Sequence, residues 1–221
     1  MDIYKDGEIQ LDGCLNKTYE RGIFGNGTNP ETRIVDYEKI DEYITAFRTL
    51  NLKIALTSGT FDLTHIGHSR YLDKAHEFGD ILIVGVDSDE KVRRRKGPDR
   101  PVVPEDERAL MIASLRSADV VTIKNPNEPK WGLIKMVRPD TLVVTQETYT
   151  ESELAQLCEF CGQIICLEPQ ATTSTSAKIR KLQIDWTNKL IDPIEKILEQ
   201  NNASSELREK IGNFLLNLKN G

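Results

Sequence analysis

No stretch of this chain approaches the roughly 18 consecutive apolar residues that a membrane-spanning helix requires, so a membrane partner is not expected. A secretory leader is also missing: the opening MDIYKDGEIQLDG is acidic and polar, and the expected compartment is the cytoplasm. Basic excess is absent as well. Twenty-nine Lys and Arg stand against 35 Asp and Glu, a net charge of −6, which argues against general nucleic-acid binding. Cysteine is scarce, with four in all: Cys14, Cys158, Cys161 and Cys166. Without a leader a disulfide framework is not expected. Cys158 and Cys161 form a single C-x-x-C, but a structural zinc needs four ligands and no second pair or histidine lies nearby. These thiols are expected to be small buried groups between a helix and a strand, and no metal-binding residue is assigned. Histidine is scarcer still, three in total, and two of the three fall in one short run.

What is present is a regular alternation. Residues 1–35 are rich in Gly, Asn, Asp and Thr without a sustained period and read as an irregular arm that wraps onto the body or onto a partner. Residues 36–50 carry Ile40, Tyr43, Ile44 and Phe47 on one helical face. From there short Val/Ile/Leu-rich runs at 53–58, 80–87, 119–123, 140–145 and 163–167 predict strands. Amphipathic stretches at 67–78, 105–115, 130–137, 151–161 and 174–182 predict helices. Strands this continuously apolar fit a parallel sheet covered on both faces. The expected fold is therefore α/β: a Rossmann-like, doubly wound, five-stranded parallel sheet with an irregular N-terminal arm and a C-terminal helical extension. Three segments follow: 1–50 as arm and helix, 51–185 as the α/β domain, and 186–221 as the extension. In the extension Leu207, Ile211, Phe214, Leu215 and Leu218 share one helical face, with Ser204 or Ser205 as cap. That face suits either a hairpin packed on its own domain or a homodimer arm.

The histidine run is Gly59-Thr60-Phe61-Asp62-Leu63-Thr64-His65-Ile66-Gly67-His68, at the passage from the first strand to the next helix. In parallel sheets ligands bind beyond the carboxyl ends of the strands, which is where this run falls. Gly59 permits close backbone approach, and Gly67 removes a side chain where the helix begins. A helix N-terminus offers free N–H groups to phosphate, and His65 and His68 can donate to phosphoryl oxygens. The alternative is two partly exposed histidines with no ligand. His76, mid-helix beside Glu77, reads as a surface residue. Ser174, Thr175 and Ser176 open another predicted helix, and Arg180 follows a little over one turn later, a pattern suited to a triphosphate. Asp87, at the end of the second strand, either bonds a ribose or acceptor hydroxyl or caps the next helix. Arg93, Arg94 and Arg95 read as a solvated helix face.

GTFDLTHIGH resembles the G-x-F-D-x-x-H-x-G-H signature of the cytidylyltransferase-like nucleotidyltransferases. Two further segments resemble that superfamily in the same order: 96–103, KGPDRPVV, followed by Glu107-Arg108, and 174–180, STSAKIR, similar to S-T-[TS]-x-x-x-[RK]. The resemblance covers residues 53–182. It implies an enzyme that transfers a nucleoside monophosphate from ATP or CTP to a phosphorylated sugar, polyol or amino alcohol and releases pyrophosphate. It also implies His65, His68, Lys96 and Arg180 in catalysis, and nucleotide contacts from Gly59, Thr60, Phe61, Asp62, Gly67, Asp87, Arg108, Ser174, Thr175 and Ser176. Mg²⁺ would come with the triphosphate. The stretch from 71 to 108 is similar to the adenylyltransferase domain of ADP-heptose synthases. Glycerol-3-phosphate and ethanolamine-phosphate cytidylyltransferases share much of it, so ATP against CTP stays open. After the fourth strand those families carry V-K-G-x-D-[YW]; this chain has Val143-Val144-Thr145-Gln146-Glu147-Thr148-Tyr149. That departure motivates two alternatives: an adenylyltransferase acting on a vitamin phosphate, and a nucleotide-binding module without catalysis.

Overall fold

The computed structural model describes residues 4–5, 8–9, 29–146, 148–168, 170 and 175–220; for 4–5, 8–9, 175–180, 183, 187, 188, 192, 199 and 216–220 it describes the backbone alone. The chain forms two compact units. One runs up to Thr64 and resumes over His68–Glu168; the other comprises His65–Gly67 and Pro169–Gly221.

Near the N-terminus β1 (Tyr4–Lys5) and β2 (Glu8–Ile9) make a small antiparallel ladder. The first unit is built on five parallel strands: β3 (Ile54–Gly59), β4 (Ile81–Asp87), β5 (Val120–Lys124), β6 (Thr141–Thr145) and β7 (Gln163–Leu167). Their order is β5-β4-β3-β6-β7. The chain therefore winds outward from β3 in one direction and then returns to its other side. The reversal falls between β3 and β6, where such sheets open a crevice at their carboxyl ends.

Successive side chains of a strand face opposite ways, so runs like Ile81-Leu82-Ile83-Val84 feed two cores. One holds Ile54, Leu56, Ile81, Ile83 and Leu142, with helices α1 (Ile40–Thr49), α5 (Gly132–Val137) and α6 (Glu151–Leu157) supplying Phe47, Leu133 and Leu157. The other holds Ala55, Leu82, Val84, Val86 and Val143 beneath α2 (Ile66–His76) and α4 (Glu105–Ala113), which supply Leu72 and Ile112. Gly85 is required by packing. A methyl there would meet Leu133 Cδ2 at 2.5 Å and the Lys124 stem at 3.1 Å.

Two details are added and two expectations change. Residues 29–35 wrap onto the body, one of the two places open to the irregular arm: Asn29 caps a 3₁₀ turn at Pro30–Arg33, Ile34 bridges in parallel to Val121, and Val35 N–H donates to Val121 O at 2.8 Å. Arg33 Nη1 donates to the carbonyls of Ala113, Leu115 and Ala118, the open end of α4 and the turn beyond it. A short helix α3 (Asp89–Lys96), capped by Ser88, follows β4. Cys158, at the C-cap of α6, and Cys166, on the edge strand β7, are exposed, and Cys161 is half-buried. Lastly, the boundary drawn at 185/186 lies inside one helix, α7 (Thr175–Gln200), which holds Pro193 within it. Leu182, Trp186 and Leu190, spaced four apart, keep one face through that point.

After α7, Asn202 takes a positive φ of 50°, and Ser204 Oγ accepts from Leu207 N at the start of α8 (Ser205–Asn220). Among the described residues no helix is long and apolar enough to cross a membrane.

Candidate active site

The carboxyl end of β3 leads into a turn that the side chains of Arg108, Thr64 and Asp62 hold in place. Phe61 and Leu63 have φ of 52° and 48°, the left-handed region that non-glycine residues enter at a cost of about 1–2 kcal/mol each. Arg108 Nη1 donates to Thr60 O at 2.5 Å, and Thr64 Oγ1 donates to Phe61 O at 3.1 Å. Asp62 accepts from Arg100 Nε at 2.9 Å and from the backbone N–H groups of Val102 and Val103 at 3.1 Å. These bonds, together with the Arg100 guanidinium, pull its carboxyl below the ordinary range even though burial pushes the other way. The two motifs thus form one structure, with GTFD clasping KGPDRPVV.

The Phe61 ring is buried and meets the His68 imidazole edge to face, centroids 5.7 Å apart. Gly59 serves that ring directly, since a Cβ there would lie 3.2 Å from its atoms. His65 Nδ1 accepts from Gly67 N–H at 3.1 Å, so a side chain caps the start of α2. A neutral His65 then carries its proton on Nε2.

A second network joins the ends of β3, β4 and β5. Thr60 follows β3 directly, and Asp87 and Lys124 are register partners closing β4 and β5. Asp87, 3% exposed, takes Lys124 Nζ at 2.7 Å on one oxygen and Arg95 Nη2 at 2.7 Å on the other. Arg95 also donates to Thr60 Oγ1 at 2.7 Å. Lys124 and Arg95 hold the Asp87 carboxyl down at about 2 against the effect of burial. Lys96 ends α3, and Gly97, at φ 96°, terminates the helix. Desolvation first, then the Arg95 and Arg100 guanidiniums, push the Lys96 ammonium below its ordinary value. Excess positive charge of this kind suits an anionic ligand.

The structure redistributes the expected roles. Thr60, Phe61, Asp62, His68, Asp87, Lys96 and Arg108 come together in the first unit. Arg108 does not face outward as a phosphate ligand: it is 1% exposed, with Nε on Val103 O and Nη2 on Asp89 besides its bond to Thr60. It is a buried strut between loops. Asp87 neither caps α3, which Ser88 does, nor leaves an oxygen without a cation. Arg95 is exposed, as a solvated helix face requires, yet its guanidinium also pairs with Asp87. His65 and Gly67 belong to the second unit, as do the first turns of α7. Ser174 lies outside the described residues, as do the side chains of Thr175, Ser176 and Arg180. Sequence reasoning missed Arg95, Arg100, Lys124 and Glu128. A usable signal was the pair of opposite charges ending neighbouring strands.

A doubly wound sheet with an anion-suited cluster at the carboxyl ends of its inner strands defines a phosphate-handling α/β protein. The family model for cytidylyltransferase-like proteins matches residues 56–210, and the chain belongs to that family; it is a nucleotidyltransferase. Among curated relatives, Bifunctional protein HldE of a Nitratiruptor species is 46% identical over 57% of this chain and 26% of the relative. Bifunctional protein HldE of Helicobacter pylori (strain P12) is 36% identical over 79% of this chain and 36% of the relative. The chain thus spans about a quarter to a third of the length of these relatives. Among solved structures, the lipopolysaccharide core biosynthesis protein of Thermoplasma volcanium is 25% identical, with a TM-score of 0.46, over 52% of this chain and 96% of that one.

Proposed function

We propose that this nucleotidyltransferase joins a nucleoside monophosphate, from ATP or CTP, to the phosphate of a small sugar, polyol or amino alcohol. An oxygen of the acceptor phosphate attacks the α-phosphorus in line; the bond to the β-phosphate breaks, and pyrophosphate leaves. Such chemistry asks the protein for positioning and charge stabilisation rather than a covalent nucleophile. The observation that carries the reading is the locked turn at the end of β3, fixed by Asp62 and Arg108 beside the Lys96 cluster. His65 and His68 stabilise charge on the transferred and leaving phosphoryl oxygens, His65 through Nε2 and His68 from its place against Phe61. Lys96 holds a phosphate. Ser174, Thr175, Ser176 and Arg180 are assigned the triphosphate by their motif.

Mg²⁺ would accompany the triphosphate and supply neutralising charge there, with Lys96 beside it on the protein's side. Among the described residues no group of three or more His, Cys, Asp or Glu is placed to hold a metal ion, and Asp62 and Asp87 are already engaged by cations. With both of these carboxylates paired, the protein's part would be to hold the phosphates that carry the ion. The resemblance of residues 71–108 to the adenylyltransferase domain of ADP-heptose synthases favours a sugar phosphate as acceptor. The loop at 145–149, which departs from V-K-G-x-D-[YW], is assigned the choice of base and acceptor. A homodimer through the C-terminal helices completes the reading, supported by exposed Leu182, Trp186 and Leu190 on α7 and tested by molecular mass in solution.

Pyrophosphate release with ATP and with CTP, each against a panel of phosphorylated sugars, polyols, amino alcohols and vitamin precursors, tests the reaction. Release with one nucleotide and one acceptor class is expected. Nucleotide binding without release from any pair would point instead to a non-catalytic module.

A further inference from the structure

Helix α3 carries Arg95 and Lys96 into the site, yet of its eight residues only Val92 is buried. A helix with one apolar anchor is placed by polar ties. On one side these are Arg108 Nη2 to Asp89 Oδ1 at 2.6 Å and Asp89 N–H to Glu105 Oε2 at 2.5 Å. On the other side α3 leans on the loop after β5. Arg94 Nη1 donates to Pro126 O at 3.1 Å, and Lys91 pairs with Glu128.

That loop is itself held from further away. The Glu128 side chain is almost wholly buried, and its Oε2 accepts from Leu133 N–H in the first turn of α5 at 3.1 Å and from Tyr37 Oη–H at 2.5 Å. Burial, reinforced by Glu128, pushes the Tyr37 phenol far above its ordinary range, so it remains a donor at neutral pH. Tyr37 lies in the segment that Arg33 and Val35 fasten to α4 and β5. Residues 29–39 fall outside the 56–210 span that matches the family.

We propose that Tyr37 is a positioning residue for nucleotidyl transfer: through Glu128 and Lys91 it sets where α3 presents Lys96 and Arg95, making residues 29–39 a working part of the site. The inference rests on the reading of Lys96 as a phosphate-holding residue. A net hydrogen bond is worth about 1 kcal/mol, or about fivefold in an equilibrium. Tyr37→Phe in the full chain is therefore expected to raise KM for one of the two substrates by about fivefold, with kcat within about twofold. Lys91→Met should do the same, and Lys91→Arg should restore most of the loss.

Steady-state pyrophosphate release for these variants reads the effect, with amide hydrogen exchange of α3 measured in parallel. Wild-type KM values in an active Tyr37→Phe enzyme would overturn the proposal, as would a lower melting temperature with both KM values unchanged. If Tyr37→Phe fails to fold, the Lys91 pair decides on the same criteria. Should the wild type release no pyrophosphate with any pair, the catalytic reading fails separately. Faster α3 exchange in Tyr37→Phe would then still support the strap, and unchanged exchange would refute it.

Discussion

Two neighbouring strands end in loops of opposite character. After β3, residues 60–62 are all buried, two residues of the turn hold left-handed backbone, Arg108 fastens it from outside and its own Asp62 ties it to residues 100–103. After β6, the described residues of the 145–149 loop make a light turn. Thr148 N–H donates to Thr145 O at 3.0 Å, the two threonine hydroxyls meet at 2.7 Å, and Gln146 reaches Glu168 at 2.8 Å. Tyr149 anchors that loop in the core, its phenol raised to about 12 by burial and next by the charge of Asp87. A loop that must meet the same phosphates in every turnover gains from being fixed before substrate arrives. A loop that distinguishes substrates can vary at little cost to the fold.

The contrast is open to attack, and the most severe test is Arg108→Met. Removing a buried cation from three acceptors is expected to cost about 3–5 kcal/mol, read from urea midpoints. A loss below about 1 kcal/mol would make the two loops equivalent. Next is His68→Ala, for which a fall in kcat of about 10²-fold is expected with the urea midpoint little changed. Turnover like that of the wild type would detach the β3 loop from the chemistry.

A smaller effect is expected at Asp87. Its carboxyl sits at about 2, below its unfolded value of about 3.9, so it stabilises the fold above pH 4 and that contribution fades as pH falls toward 2. The advantage of the wild type over Asp87→Asn should shrink by about 2 kcal/mol across that window, measured by denaturant unfolding at stepped pH. An advantage independent of pH would remove the ion pairs from the account. Gln146→Ala should be mildest, within about 0.5 kcal/mol in stability, while changing the ratio of kcat/KM between acceptors. An unchanged ratio would leave the β6 loop without its assigned role.

The sheet was legible in the chain because each strand is a short apolar run between polar ones. The strand expected at 163–167 is Gln163–Leu167, and that expected at 53–58 is Ile54–Gly59, one residue along. The β3 turn was legible as a place of chemistry, but its division of labour was not. Residue types show that a motif needs Asp62 and Arg108; they do not show whether a ligand or another loop takes up the hydrogen bonds. Segment 29–39 was hidden for a different reason. PETRIV has no period, and its order comes from Arg33 and Tyr37 reaching residues 80 or more positions away. The length of α7 was not legible because the expected helix ended at residue 182 and a second was expected from about Leu190 across Pro193; the structure joins the two as Thr175–Gln200.

The parallel bridge from Ile34 to Val121 has a practical side. β5 is the last strand on its side of the sheet, and Ile34 and Val35 lie along it as a natural cover. Trimming the chain to the span its family shares would strip that cover and leave a row of unpaired amides and carbonyls beside buried valines. Bare sheet edges recruit strands from other molecules. A protein cut back to its family domain is therefore expected to aggregate at concentrations where one that begins at residue 29 stays dispersed.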